Sequence, residues 1–140
     1  MPQEITDMMI LKDLIEAASA AREHAYAPYS RFRIGAAVET GDGRIFTGCN
    51  IESSTYGLTI CAERVALWKA LSEGIREFKR IVIVADTKKL VPPCGACRQI
   101  VSDFCSAETE VVMANSSGEM EIVTIERLLP SAFDHKFLPS

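Results

Sequence analysis

Two short stretches of this chain hold three cysteines and a glutamate, and they constrain the fold because they must meet in space to form one site. They are residues 61–64, C-A-E-R, and residues 93–99, P-C-G-A-C-R-Q. A structural zinc site uses four protein ligands, whereas a catalytic zinc site uses three and keeps its fourth position for water. The pattern therefore indicates a metal site in which Glu63 is a ligand, a base or a bystander. Its three thiols are those of Cys61, Cys94 and Cys97.

All three thiols are predicted to lie at the starts of helices, which we place over about residues 61–72 and 94–105. The partial positive charge at a helix N-terminus favours the thiolate form of cysteine. Three thiolates on one Zn²⁺ would leave a net negative site and weaken the Lewis acidity of the metal. The helix ends, Arg64 or Arg98 are candidates for the positive charge that offsets it.

The spacing alone leaves other interpretations open. A C-x-x-C pair also occurs in redox proteins, although the residues around this one lack a thioredoxin-like context. A structural zinc ribbon would need a second C-x-x-C, which Cys61 does not supply. Cys49 is near enough in sequence to be a fourth ligand, but we predict it within a strand. We interpret Cys49 and Cys105, the cysteines outside the motif, as buried and inert thiols.

Length and charge restrict the function. A chain of 140 residues is long enough for one domain with a real core, so we expect a single domain over residues 1–140. The formal charge of −4 argues against nucleic-acid or anionic-membrane partners, which are normally approached with a basic face. We find no secretory signal or membrane span in the sequence, and five cysteines is an odd number for a disulfide framework. A cytoplasmic location is therefore expected.

Hydrophobic periodicity predicts an α/β fold. An amphipathic helix over residues 6–25, capped by Thr6 or Asp7, is followed by a hairpin of strands at 32–40 and 44–50. Further strands are predicted at 80–85, 110–114 and 119–123, with a short helix at 125–129. This order indicates a three-layer α/β/α sandwich with a mixed five-stranded sheet. The residues predicted to face the core from the second and third helices are Val65, Leu67, Trp68, Leu71, Ile100, Val101 and Phe104.

The small residues Gly35 and Ala36 within the first predicted strand indicate that another group approaches the face of that strand closely. Either a helix or a ligand could make this approach, and a helix is the commoner case.

The flanking residues extend the pattern to a known family. Zinc nucleobase deaminases combine a His/Cys/Cys or Cys₃ zinc site with a glutamate that is not a ligand and a P-C-x-x-C run. Beyond that signature, most of this chain closely resembles the small cytidine deaminases that act on free nucleosides. The all-cysteine ligand set resembles the form that the family usually builds as a homotetramer. The matching stretches are residues 29–30, 32, 35–37, 50–52, 61–64, 93–99, 128–130 and 132–133.

The resemblance implies a role for each matching residue. Cys61, Cys94 and Cys97 would bind one Zn²⁺ per subunit, and Glu63 would be the proton shuttle. Arg64 would donate hydrogen bonds to the zinc thiolates. The residues implied to contact the substrate are Asn50 and Glu52 at the ribose hydroxyls, Phe32 at the base or sugar, Ala62 and Tyr56 in the pocket, and Phe133 from a neighbouring subunit.

The implied activity is zinc-dependent hydrolytic deamination of cytidine and deoxycytidine to uridine and deoxyuridine, with release of ammonia, in pyrimidine salvage. A carboxylate at Glu52 beside the ribose suits hydroxyl donors and repels a 5′-phosphate, which favours a free nucleoside. Three alternatives stay open: deamination of another aminopyrimidine nucleoside or a cytosine-containing antibiotic, deamination of a polynucleotide, and a non-catalytic module stabilised by zinc.

Overall fold

A five-stranded sheet and four α-helices make up the computed structural model, which describes residues 2–139. Short 3₁₀ turns lie at Tyr56–Leu58 and His135–Phe137. No helix in the described part of the chain is both long and apolar enough to cross a membrane. The elements in chain order are α1 (Gln3–Arg22), β1 (Ile34–Thr40), β2 (Ile45–Cys49), α2 (Ala62–Ser72), β3 (Phe78–Ala85), α3 (Gly95–Phe104), β4 (Glu110–Asn115), β5 (Met120–Thr124) and α4 (Ile125–Leu128).

The sheet is mixed, with strand order β2-β1-β3-β4-β5. Strands β3 and β4 are parallel, and α3 is the crossover between them. The other three neighbouring pairs are antiparallel. A parallel pair needs a crossover connection, and α3 therefore begins close to the carboxyl end of β3. This is the region in which the C-x-x-C motif lies.

Helices cover both faces of the sheet. Leu14 and Ala18 of α1 pack against Ala37 and Val82 on one face. On the other face, α2 and α3 pack over a larger cluster, in which Leu67 and Ile81 are completely buried. This arrangement confirms the predicted three-layer α/β/α sandwich with a mixed five-stranded sheet.

Two glycines allow the helices to approach the sheet closely. A β-carbon on Gly35 would lie 1.9 Å from the carbonyl oxygen of Ala18 in α1, so the close approach predicted at this strand is made by a helix. A β-carbon on Gly48 in β2 would lie 2.5 Å from the carbonyl oxygen of Ala62 in α2. Both distances are too short for any side chain, and Gly48 therefore determines how near the start of α2 lies to the sheet.

The structure corrects several local predictions. Helix α1 begins at Gln3, so neither Thr6 nor Asp7 is its N-cap; Thr6 lies in the first turn, and its hydroxyl donates to the carbonyl of Pro2 at 3.3 Å. The helix ends at Arg22 rather than near Ala25. Trp68 and Phe104, predicted to face the core, are 43% and 42% exposed. The buried residues of α2 are instead three alanines together with Glu63 and Leu67, and the alanines let the backbone of the helix lie close to the sheet.

Candidate metal centre and substrate cavity

The N-termini of α2 and α3 bring the three predicted thiols together. Cys61 and Cys94 are the N-cap residues of the two helices, and neither side chain is used in a capping hydrogen bond. Cys97 lies in the first turn of α3 and is fully buried. The sulfurs of all three residues lie within 4.8 Å of one another.

The spacing of these sulfurs fits zinc. Zn–S bonds of about 2.3 Å in a tetrahedral site place two sulfurs about 3.8 Å apart. The Sγ atoms of Cys61 and Cys94 are 3.8 Å apart. The cluster includes neither Cys49 nor Glu63 as a fourth ligand. Three thiolates with no fourth protein ligand are the donor set of an open zinc site.

The Arg64 side chain supplies positive charge to the sulfur cluster. Its Nη2 donates to Cys61 Sγ at 3.5 Å. Hydrogen bonds from Cys97 and then from Arg64 lower the pKa of the Cys61 thiol to about 5, which favours a thiolate at neutral pH. Arg98 was the other candidate for this charge, but its guanidinium donates instead to the carbonyls of Pro93 at 2.8 Å and Leu128 at 2.9 Å. Arg98 thus ties the loop before α3 to the end of α4.

Glu63 is buried in the first turn of α2, with 5% of its surface exposed. Burial raises the pKa of this carboxyl, and the negative charge of Cys61 raises it further. A carboxyl whose pKa lies above its ordinary range is suited to taking up and giving back a proton near neutral pH. Because Glu63 lies outside the group of ligand atoms, the geometry fits a base better than a ligand.

A cavity of about 210 Å³ lies beside the sulfur cluster. It joins residues from the start of β1, the end of β2, the start of α2 and the loop before α3. The structure therefore brings together residues that lie about sixty positions apart in the sequence. Those predicted from the sequence that line it are Phe32, Asn50, Glu52, Cys61, Ala62, Glu63 and Cys94.

Asn50 has a structural role that the sequence did not reveal. Its Oδ1 accepts from the backbone N–H of Ile34 at 2.8 Å, and its Nδ2 donates to the carbonyl of Phe32 at 2.7 Å. These bonds hold the chain that enters β1 against the chain that leaves β2. The side chain still has a lone pair and an N–H available, because an amide offers two of each.

The Glu52 carboxylate is held by the loop that precedes β1. Its Oε1 accepts from the backbone N–H groups of Tyr29 at 2.9 Å and Ser30 at 3.1 Å, and its Oε2 accepts from the Ser30 hydroxyl. The hydrogen bond from the Ser30 side chain is the largest effect that lowers the pKa of Glu52. The group is therefore an ionised acceptor throughout the neutral range.

Two of the predicted substrate contacts lie outside this cavity. Tyr56 lines a neighbouring cavity that shares Ser30, Glu52 and Thr59 with the first, and its ring contacts Tyr29 edge-on at 5.5 Å between centroids. Phe133 lies farther away, stacked on Phe137 at 5.9 Å. Its backbone carbonyl accepts from Gln99 Nε2 at 2.9 Å. The structure does not bring Phe133 to the cavity of its own chain.

Sequence reasoning assigned no role to several residues that line the cavity. Ser30 and Phe32 were both part of the matching sequence around residues 29–32, but only Phe32 received a role. The sequence shows only that Ser30 lies two residues before Phe32. Its role depends on Glu52, which is distant in the sequence and lies beside it only in the folded chain. The other residues of this kind are Ile34, Thr59, Ile60, Ile83, Val91 and Pro92.

The two remaining cysteines are outside the metal centre. Burial raises the pKa of Cys105 to about 12, and burial also raises the pKa of Cys49. Both thiols are therefore protonated at neutral pH. These shifts agree with the expectation that they are inert, but the expectation that they are buried is wrong, because both residues are only half-buried.

Comparisons with known proteins connect this geometry to a family. The model for the cytidine and deoxycytidylate deaminase zinc-binding region matches residues 8–114. Cytidine deaminase of Halalkalibacterium halodurans is 54% identical over 86% of this chain and 91% of its own length. Cytidine deaminase of Sporosarcina psychrophila is 48% identical over 93% of this chain and 96% of its own length. The crystal structure of cytidine deaminase from Burkholderia pseudomallei superposes with a TM-score of 0.85 at 50% identity, covering 87% of this chain and 98% of that one.

Proposed function

This chain belongs to the cytidine deaminase family, and from that premise we propose that it hydrolyses the 4-amino group of free cytidine and deoxycytidine. The observation that carries the proposal is the placement of the buried Glu63 carboxyl in the wall of the same cavity as Cys61 and Cys94. A structural zinc site needs neither a cavity nor a buried base beside its ligands. The net reaction replaces the amino group at C4 by oxygen from water and releases ammonia.

In the proposed mechanism, Cys61, Cys94 and Cys97 would hold the metal. When bound, zinc supplies a Lewis acid that makes hydroxide available from water near neutral pH. Glu63 takes the proton that the water loses and passes it to N3 of the cytosine ring. The oxygen of that water forms its bond to C4. Glu63 then moves a proton from the new C4 hydroxyl to the amino group, which leaves as ammonia when the C4–N bond breaks, so that one carboxyl serves as base and as acid. Burial raises the pKa of Glu63, which makes its carboxylate a stronger base for taking up the proton of the water.

Arg64 and the walls of the cavity have supporting roles. The hydrogen bond from Arg64 to Cys61 offsets negative charge on the thiolates, which preserves the Lewis acidity of the metal. Phe32 and Ala62 provide surface against which the nucleoside packs. We assign Asn50 and Glu52, which also line this cavity, to the ribose hydroxyls as hydrogen-bonding partners.

Glu52 supports the choice of a free nucleoside. A carboxylate has about four lone-pair sites, and the backbone of residues 29–30 and the Ser30 hydroxyl occupy three of them. The remaining site is free to accept from a ribose hydroxyl. The same negative charge repels a 5′-phosphate, so CMP and polynucleotides are disfavoured as substrates.

The assembly that we propose is a homotetramer in the cytoplasm that acts in pyrimidine salvage. Phe133 is exposed and remote from the cavity of its own chain, and Tyr56 is exposed beside the neighbouring cavity. Both positions are compatible with pockets that neighbouring subunits complete. We further propose that residues 1–140 form a single domain.

A substrate panel tests this function. Purified protein loaded with zinc is incubated with cytidine, deoxycytidine, CMP, cytosine and a cytosine-containing nucleoside antibiotic, and both ammonia and the deaminated product are measured. We expect cytidine and deoxycytidine to turn over, with CMP at background. Comparable rates on CMP would overturn the assignment to free nucleosides. Faster turnover of the antibiotic than of cytidine would identify the antibiotic as the preferred substrate. Bound zinc without ammonia from any of these compounds would favour a non-catalytic zinc module.

A further inference from the structure

One hydroxyl group joins the two sides of the proposed sugar site. Ser30 Oγ donates to Glu52 Oε2, and the same oxygen accepts from the backbone N–H of Phe32 at 3.0 Å. Phe32 precedes β1, whereas Glu52 follows β2. The hydroxyl uses its one donor and one of its acceptor positions in this bridge, so both partners fix its orientation.

A sharp turn of the backbone at Arg31 places the Phe32 N–H next to the Ser30 hydroxyl. Arg31 has φ = +59°, a left-handed conformation that is uncommon for a residue other than glycine. Its N–H donates to the carbonyl of Ala27 at 2.9 Å. The chain thereby turns sharply between Ser30 and Phe32, which brings the Phe32 N–H onto the Ser30 hydroxyl. The carbonyl of Phe32 is held in turn by Asn50 Nδ2 at 2.7 Å, so both backbone polar groups of Phe32 are fixed by side chains.

We propose that Ser30 is a positioning residue for substrate binding, which fixes the Glu52 carboxylate and the Phe32 ring relative to one another. This inference rests on the proposed function, because Glu52 and Phe32 are assigned there to the nucleoside. Without the hydroxyl, Glu52 keeps the two backbone donors on Oε1, but Oε2 loses the one donor that it has among residues 2–139. Oε1 then stays on its two backbone donors while Oε2 is no longer held, and the Phe32 N–H loses its acceptor.

Loss of the bridge should affect binding more than chemistry. The bridge lies at Glu52 and Phe32, whereas the proton transfers belong to Glu63 and the metal centre. A hydrogen bond to a charged group is among the stronger kinds in proteins, and its loss is expected to raise KM roughly tenfold. The value of kcat should stay close to that of the wild type.

Ser53 offers a matched control. It lies next to Glu52 in the sequence, and its hydroxyl likewise accepts a backbone N–H two residues further on, from Thr55 at 3.1 Å. This bond does not involve Glu52. Ser53→Ala therefore removes a comparable hydrogen bond from a serine hydroxyl to a nearby backbone N–H, while the bridge between Glu52 and Phe32 stays intact.

The test measures kcat and KM for cytidine with the zinc-loaded Ser30→Ala, Ser30→Thr and Ser53→Ala proteins and the wild type. We expect an increase in KM for Ser30→Ala, recovery for Ser30→Thr because it restores a hydroxyl, and no change for Ser53→Ala. An equal rise in KM for Ser53→Ala, or a loss of kcat without a change in KM for Ser30→Ala, overturns the proposal. Ser30→Cys, with a weaker donor of similar size, gives an intermediate KM and replaces the alanine variant if that one does not fold.

A double-mutant cycle separates positioning from direct contact with the substrate. Ser30→Ala is measured again in a Glu52→Gln background, where the ionised acceptor of the bridge is gone. A positioning role predicts a smaller further increase in KM there, because only the contact with the Phe32 N–H is left to lose. An undiminished increase shows that Ser30 acts independently of Glu52 and overturns the proposal. Failure of the wild type to deaminate cytidine would instead refute the proposed function. An active wild type with an unchanged Ser30→Ala would refute this inference alone.

Discussion

The thiol of Cys61 and the carboxyl of Glu63 lie two residues apart in the chain, and the charge of the first acts on the second. Burial and the negative charge of Cys61 together raise the pKa of Glu63. The positive charge of Arg64, whose guanidinium donates to Cys61, lowers the pKa of the same carboxyl. At the scale of single residues, the protonation of Glu63 therefore depends on its burial and on the charges of Cys61 and Arg64.

Replacing Glu63 by Gln tests its assignment as the proton shuttle. The amide is nearly the same size but does not carry a proton between atoms, so we expect turnover of cytidine to fall by about a thousandfold. Zinc binding should persist, because the ligand atoms are the three sulfurs alone. The measurements are the rate of ammonia release and the zinc content of the same protein sample. A Gln variant that keeps near-normal turnover would contradict the role.

The pH titration of Glu52 gives a second test at this scale. The hydrogen bonds from Ser30 stabilise the charged form, so the pKa of this carboxyl lies below its ordinary value. The carboxylate therefore stays ionised as the pH falls through the ordinary range of glutamate and takes up its proton only below it. Carbon-13 NMR of the side-chain carboxyl should show this low midpoint in the wild type and a higher one in Ser30→Ala. A wild-type midpoint at or above the ordinary value would contradict the network.

At the scale of elements, the position of α2 on β2 determines where Cys61 and Glu63 lie. Gly48 lets the backbone of this helix approach the strand, since a β-carbon there would lie 2.5 Å from both Ala62 O and Ala66 N. The N-cap of the same helix is Cys61. The absence of a side chain at Gly48 thus helps to set the position of Cys61 in the metal centre.

The Gly48→Ala variant should push the start of α2 away from the sheet. We expect a loss of about 1–3 kcal/mol in the free energy of unfolding, as for other overpacked interiors, together with weaker zinc binding. Thermal unfolding and competition with a chromophoric zinc chelator measure the two effects. Gly57→Ala is the matched control, because a β-carbon at Gly57 meets nothing within 4 Å. Equal stability and zinc affinity in both variants would contradict the link between this packing and the site.

Local patterns in the sequence predicted the elements well and their ends less well. Strand and helix order follow from hydrophobic periodicity, and the thiols at Cys61 and Cys94 were correctly expected at helix starts. The cap of α1 was wrong because Thr6 and Asp7 also hydrogen-bond within a first turn. Trp68 was assigned to the core on its apolar character, but the buried face of α2 is formed by three alanines together with Glu63 and Leu67.

The residues of the site could be predicted only where they belong to a short sequence motif typical of a metal or catalytic site. The three cysteines and Glu63 have a recognisable spacing, and the structure brings them together. The roles of Ser30 and Asn50 depend on hydrogen bonds across 22 and 16–18 positions of the chain. These hydrogen-bonding partners come together through the pairing register of β1 and β2, which cannot be predicted from local sequence patterns.

At the scale of the whole molecule, several aromatic side chains are strongly exposed. Tyr56 is 73% exposed and Phe137 is 71% exposed. Large apolar side chains grouped on a surface commonly mark protein interfaces. We propose that copies of this chain bury these surfaces against one another.

Light scattering coupled to size-exclusion chromatography tests the assembly. We predict a mass four times that of the 15.4 kDa chain. Phe133→Ala should raise KM for cytidine although Phe133 lies outside the cavity of its own chain, because the proposed contact crosses a subunit boundary. Full activity in a species with the mass of one chain would contradict the homotetramer.

The most direct test of the central claim is a titration of cytidine deamination against bound zinc. Protein stripped of metal by a chelator is reloaded in steps, and the loss of cytidine's ultraviolet absorbance and the zinc content are measured on each sample. If Cys61, Cys94 and Cys97 form an open catalytic site, the rate should rise in proportion to bound zinc, reach its limit at one zinc per chain and be near zero in the stripped protein. A fully loaded protein that leaves the absorbance unchanged, or a stripped protein that removes it at the full rate, would contradict the account.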